Sequence, residues 1–145
     1  LRYYKWFNKE FSDDIGFPEF NLYWSLTCYE NKDLTEALRK LYKTSFTNTY
    51  LVDLICKRNP TNINKSELIS FESLEYAKQI LSDCEKLITP AFKEWLKSTT
   101  RKTDFKKNMN RFISLQKLIK DESPGHLRSS LLNESREFED KLTVE

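Results

Sequence analysis

An all-α helical bundle of about seven to nine helices is the fold this sequence predicts. Three observations carry that expectation. Apolar residues recur three and four positions apart through most of the 145 residues, the period of a helix with one buried face. Two Gly and four Pro leave few sharp turns, which argues against sheets closed by tight hairpins. Hydrophobic residues make up only 39% and charged residues 32%, yet aromatics reach 14%, so a few large rings can anchor the core of a polar chain. A domain of this length hides roughly 70% of its unfolded surface and needs no staple to fold.

The elements follow in order. Tyr3, Tyr4, Phe7 and Phe11 share one helical face, and Gly16 and Pro18 stop that short first helix. Residues 19–31 form the next, with Phe20, Tyr23, Trp24, Thr27 and Cys28 on one stripe and Tyr23, Trp24 and Cys28 in the core. Asp33 or Thr35 caps a helix carrying Leu34, Leu38, Leu41 and Tyr42. Leu51, Val52, Leu54 and Ile55 crowd the stretch from Phe46 to Cys56, and the polar run after it, through Asn59, Pro60, Thr61, Asn62 and Asn64, is the clearest internal loop. Ser70, with Glu72 or Ser73, opens the strongest helix, whose apolar face is Leu74, Ala77, Ile80, Leu81, Cys84 and Leu87. Pro90 fits the first turn of a helix that points Phe92, Trp95 and Leu96 inward. Phe105, Met109, Phe112, Ile113, Gln116 and Ile119 define another, ended by Pro124 and Gly125. The last carries Leu127, Leu131, Leu132, Phe138 and Leu142 against a charged back, as one packed face or a short coiled-coil seam.

Charge and reactive residues exclude several function classes. With 24 basic and 22 acidic residues the net charge is +2, so attraction of the whole molecule to nucleic acid is not expected and any basic site is local. Cys28, Cys56 and Cys84 are an odd set without a CxxC pair, which fits a reducing, cytoplasmic setting. Their even spacing suggests a repeat, but the flanking sequences share little else. No run approaches the about 18 to 20 apolar residues of a membrane span, and no signal peptide opens the chain. Its start at Leu1 rather than Met is the start expected of a domain excised from a larger protein. One His, His126 in a turn, and scattered Cys build neither a catalytic base with a partner nor a zinc set, so no enzyme activity, metal or cofactor is expected. Asn64 and Asn133 carry the glycosylation pattern, which in a cytoplasmic chain is a chance match.

The motif order says more than any single motif. "KEFSDD", "EFNLYWSLTCYENKD", "EALRKLYKTSF", "SFESLEYAKQIL" and "PAFKEWLKS" follow one another. In that order, through Tyr23, Trp24, Tyr29, Lys32, Ala37, Leu41, Tyr42, Phe46, Phe71, Ala77, Ile80, Trp95, Leu96, Lys97 and Ser98, the chain resembles the regulator-of-G-protein-signalling (RGS) homology domain over residues 3–103. The resemblance implies an RGS-like helical domain at residues 1–103 with a C-terminal helical extension, residues 104–145, packed on it. It also implies docking on Gα subunits, whose GTP hydrolysis such domains accelerate by bracing the switch loops. The family's usual contacts are an Asn, an Asp and an Arg, and the matching positions here are Phe20, Pro90 and Glu94. An amide has become a ring, a carboxylate an imino acid and a cation an anion. A like charge facing a Gα carboxylate would cost affinity.

The expected function is therefore a non-catalytic protein-interaction domain of a larger signalling or trafficking protein, with a G protein or a trafficking component as partner. The partner surface is expected at Asp13, Asp14, Phe17, Glu19, Phe20, Asn62, Asn64, Pro90 and Glu94. The alternatives are a divergent GTPase activator using the lengthened loop around Asp13 and Asp14, and an unrelated helical adaptor or assembly subunit. A second candidate surface is local: Arg101, Lys102, Lys106, Lys107, Arg111, Lys117 and Lys120 stand against a lone Asp104, a pattern suited to an anionic membrane or an acidic partner. No aromatic is interleaved among these cations, which weighs against nucleic acid.

Overall fold

The computed structural model describes residues 16–60 and 70–144, together with residues 2 and 9. The helix expected around Tyr3, Tyr4, Phe7 and Phe11, and the loop residues Asn62 and Asn64, lie outside the described residues. Within them the fold is all-α. Seven α-helices run in order: α1 Pro18–Glu30, α2 Leu34–Thr47, α3 Leu51–Ile55, α4 Leu74–Leu87, α5 Pro90–Thr100, α6 Thr103–Asp121 and α7 His126–Thr143, with a 3-10 turn at Ser70–Glu72 before α4.

The helix starts are set by side chains that satisfy free backbone N–H groups. Asp33 accepts from the Glu36 N–H at 3.1 Å and opens α2. Ser73 accepts from Tyr76 N–H at 3.1 Å, and Thr89 from Phe92 N–H at 3.2 Å with Pro90 at the first helical position. Two helix ends use lysine where glycine is usual. After α1, the Asp33 N–H returns to the Cys28 carbonyl and the Lys32 N–H to Tyr29, with Lys32 left-handed at φ 62°. After α3, Arg58 N–H returns to Asp53 and Lys57 N–H to Leu54, with Lys57 at φ 56°. Both are six-to-one closures that normally favour Gly, so a chain with two glycines still turns sharply here.

The core gathers on α2. Leu41, Tyr42 and Phe46 are buried, and they meet rings from both later helices. Tyr42 stacks on Phe105 with centroids 4.7 Å apart, and Phe46 meets Phe112 at 4.6 Å and Phe138 at 6.3 Å. Each such pair is worth about 0.5–1.5 kcal/mol beyond the area it buries. Asn108 adds a bond from its side-chain amide to the Tyr42 hydroxyl at 2.9 Å. Phe105 and Phe112 of α6 thus share one cluster with Leu22, Leu41, Leu51, Ile55, Phe92 and Leu96.

Several apolar faces differ from their expected positions. The inward residues of α1 are Pro18, Asn21, Leu22, Ser25 and Cys28, while Phe20 is exposed and Tyr23 and Trp24 are half-buried. Ser25 can occupy the interior because its hydroxyl donates to the Ala37 carbonyl at 2.8 Å. That small residue brings α1 close to α2, and the rings spread to both flanks. Leu87 and Leu127 are exposed, since each lies at a helix end beyond the reach of its neighbours.

Two polar groups hold the arrangement. Asn48 is fully buried between α2 and α3, and all four of its side-chain bonds are made. Its oxygen accepts from the N–H groups of Tyr50 at 2.9 Å and Leu51 at 3.1 Å. Its amide donates to the carbonyls of Phe71 and Ser73, both at 2.9 Å. Between α6 and α7, Gln116 donates to the Ser135 hydroxyl at 2.9 Å, and Ser135 donates to the Glu139 carboxylate at 3.1 Å. Burial, with Asp140 beside it, pushes the Glu139 carboxyl above the usual range, against the pull of Ser135 and Arg136.

These two groups give opposite predictions. Asn48→Ala strands the N–H groups of Tyr50 and Leu51 and takes a donor from the Phe71 carbonyl, while Ser73 keeps its bond from the Ala77 N–H, and should lower the free energy of unfolding by about 3 kcal/mol, read from urea denaturation. Glu139→Gln keeps the acceptor for Ser135 and removes a half-buried charge. A carboxyl whose folded pKa is raised contributes stability in acid and loses it as pH rises through that pKa. The variant should therefore melt higher than the parent near neutral pH, and the gap should close below the unfolded pKa of about 4.3.

Candidate partner-docking surface

The start of α1 is built from a turn and three rings. Gly16 takes φ +65°, and Pro18 at the first helical position pre-sets the backbone for α1. Phe17, the capping residue, makes no side-chain cap bond. It is 46% exposed and Phe20 is 52% exposed, and their rings meet edge to face at 5.6 Å. Phe71 from the 3-10 turn meets Phe17 edge-on at 5.5 Å. The Asn48 amide holds the Phe71 carbonyl, so the third ring is tied to the core by its own backbone. Most proteins bury such rings, and an exposed cluster of them is the kind of surface that partners cover.

Glu19 belongs to the inside of this region. The Tyr76 hydroxyl donates to its Oε1 at 2.7 Å, and its Oε2 is buried without a hydrogen-bond partner. One turn on, the Tyr23 hydroxyl lies 3.9 Å from the Cys84 sulfur. Burial, reinforced by this cluster of acidic groups, raises both tyrosines above their usual range and pushes the Cys84 thiol up to about 11. The thiol is thus protonated near neutral pH and a poor nucleophile. Cys28 and Cys56 are likewise buried, and neither is in a disulfide. Among the described residues no group of His, Cys, Asp and Glu is placed to hold a metal ion.

The structure divides the expected partner residues. Phe17 and Phe20 come together, and Phe71 completes the cluster. Pro90 and Glu94 are exposed at the start of α5, which meets the other end of α1. There the Tyr29 hydroxyl donates to the Ala91 carbonyl at 3.4 Å, and its ring packs on Phe92 and Trp95 at 5.5 and 5.4 Å. From Phe20 to Tyr29 the helix rises about 14 Å. Glu94 also pairs with Lys97 at 3.4 Å. Asp13, Asp14, Asn62 and Asn64 lie outside the described residues.

The cationic candidates lie on or just before α6, where Arg101, Lys102, Lys106, Lys107 and Arg111 are all exposed. Arg111 forms an ion pair with Glu134 of α7. Sequence reasoning missed Lys40, which is 5% exposed on α2. Burial, with Lys43 alongside, pushes its ammonium down to about 8. Its helical spacing with Ala37, Leu41 and Thr44 was the available signal. No helix among the described residues is long and apolar enough to cross a membrane. Comparison with protein-family models, with curated proteins and with solved structures finds no match.

Exposed rings contribute little to folding. Phe17→Ser with Phe20→Ser should change the free energy of unfolding by less than about 1 kcal/mol, because surface positions lose little on truncation. A loss comparable with that of a buried ring, about 3 kcal/mol or more, would show the cluster to be part of the core.

Proposed function

We propose that this chain is a non-catalytic, RGS-like protein-interaction domain of a signalling or trafficking protein working in the cytoplasm. Its partner docks on the aromatic cluster of Phe17, Phe20 and Phe71. The exposure of two adjoining phenylalanines is the observation that carries this reading. Aromatic rings enter partner pockets with few rotamers to freeze, which makes them effective anchors. The separation of Phe20 from Pro90 and Glu94 along α1 supports docking rather than GTPase acceleration. Bracing a nucleotide switch requires polar donors converging on one surface. Here an apolar ring stands at one end, and an imino acid and an anion at the other. The inert, buried thiols fit a reducing compartment.

Single-turnover GTP hydrolysis by a panel of Gα subunits tests the proposal. The chain should leave the rate unchanged, and an acceleration of about tenfold or more would refute the non-catalytic reading. Benzophenone placed at position 20 in cells should give a discrete protein adduct that is lost with Phe17→Ser and Phe71→Ser. An adduct that persists in those variants would refute docking on the cluster.

A further inference from the structure

The outer surface of α6 carries a row of exposed cations, apart from the aromatic cluster. The inward residues of α6 are Phe105, Phe112, Leu115 and Ile119, all buried. With a helical period, Lys106, Asn110, Lys117 and, at the helix end, Asp121 then fall on the opposite face, with Lys107, Ser114 and Leu118 beside them. Arg101 and Lys102 extend this stripe across the turn from α5. Arg111 is drawn sideways into its ion pair with Glu134. Arg101, Lys102, Lys106, Lys107 and Lys117 are exposed, and none of these five has an ion-pair partner among the described residues.

The chemistry of this face limits its occupant. Lys102, Lys106 and Lys107 lie within about one and a half turns, so their fields add over a Debye length of about 8 Å at physiological salt, while Lys117 stands about 15 Å farther along the helix. A protein partner needs an apolar centre from which charge is depleted, and the centre of this stripe is lysine, asparagine and serine. Single-stranded nucleic acid needs stacking rings, and the stripe has none. A bilayer rich in anionic headgroups needs neither. The buried side of α6 is committed to the core, and one exposed leucine, Leu118, is too little apolar surface to carry the helix in between acyl chains.

We propose that the outer face of α6, from Arg101 to Lys117, docks this protein on an anionic lipid bilayer through headgroup electrostatics without insertion. Lys106 and Lys117, three turns apart on the outermost line, are its main contacts. Binding is therefore peripheral and reversible by salt. Glu134 of α7, held by Arg111 beside the stripe, is repelled by the same surface, which helps to orient the molecule.

Sedimentation with phosphatidylcholine vesicles, with and without phosphatidylserine, tests this directly. The chain should bind the mixed vesicles at low ionic strength, ignore pure phosphatidylcholine, and be released completely as salt is raised. Lys106→Glu with Lys117→Glu should weaken binding at least about tenfold. Lys86→Glu with Lys141→Glu changes the net charge equally at exposed sites elsewhere, and should weaken it less than about twofold. Equal loss in both pairs would overturn the assignment of the stripe, and binding that survives high salt would overturn the electrostatic, non-inserting mode. Absence of vesicle binding would overturn the whole proposal, as would binding of a duplex oligonucleotide or polyglutamate instead of vesicles.

Discussion

One buried amide sets the terms for the rest of this molecule. Asn48 sits where α2 ends and α3 must begin, and its oxygen accepts from the two N–H groups that no helix could satisfy. The same side chain reaches across to the carbonyls of Phe71 and Ser73. Those residues are distant in sequence, so the bonds close a long excursion of chain at a fixed point. Ser73 then caps α4, and α4 brings Tyr76 and Cys84 against α1. Phe71 is delivered to the surface beside Phe17. A leucine of similar size would leave the N–H groups of Tyr50 and Leu51 unpaired and take a donor from the Phe71 carbonyl, each at a cost comparable with what the burial gains.

Around that point the aromatic content does its work by division of labour. Tyr42, Phe46, Phe105 and Phe112 interlock α2 with α6, and Phe138 adds α7. Tyr29, Phe92 and Trp95 close the far end of α1. Phe17 and Phe20 have no such enclosure. The rings are chemically alike, and only position separates those that hold the fold from those left to meet something else.

Most of the fold was legible in the sequence because its signals are local. Helical spacing located every described helix except the short α3, whose crowded apolar run has no helical period, and Asp33, Ser73, Pro90 and Gly125 marked where helices begin or break. Asn48 was not legible: in "SFTNTYLV" it is one polar residue among several, and its value comes from residues far away in the chain. The facing of α1 was misread for a related reason. Apolar rings surround that helix, so periodicity could not choose the inward side, and Ser25 chose it through one bond to Ala37. For the candidate surfaces, the sequence supplied Phe17, Phe20 and the lysines of α6. It could not foresee that Glu19 turns inward, that Phe71 joins the rings, or that Arg111 is spent on Glu134.

Asn48 ties the surface-bearing turn to the core. The N–H of Leu51 opens a five-residue helix, a position that would ordinarily exchange with water as fast as an open turn. Native-state hydrogen exchange at Tyr50 and Leu51 measures the tie directly. Protection equal to that of the α2 core amides at Leu41 and Tyr42, with exchange only through global unfolding, is the predicted result. Exchange of these two amides at a rate typical of an exposed turn, while the α2 core stays protected, would contradict it.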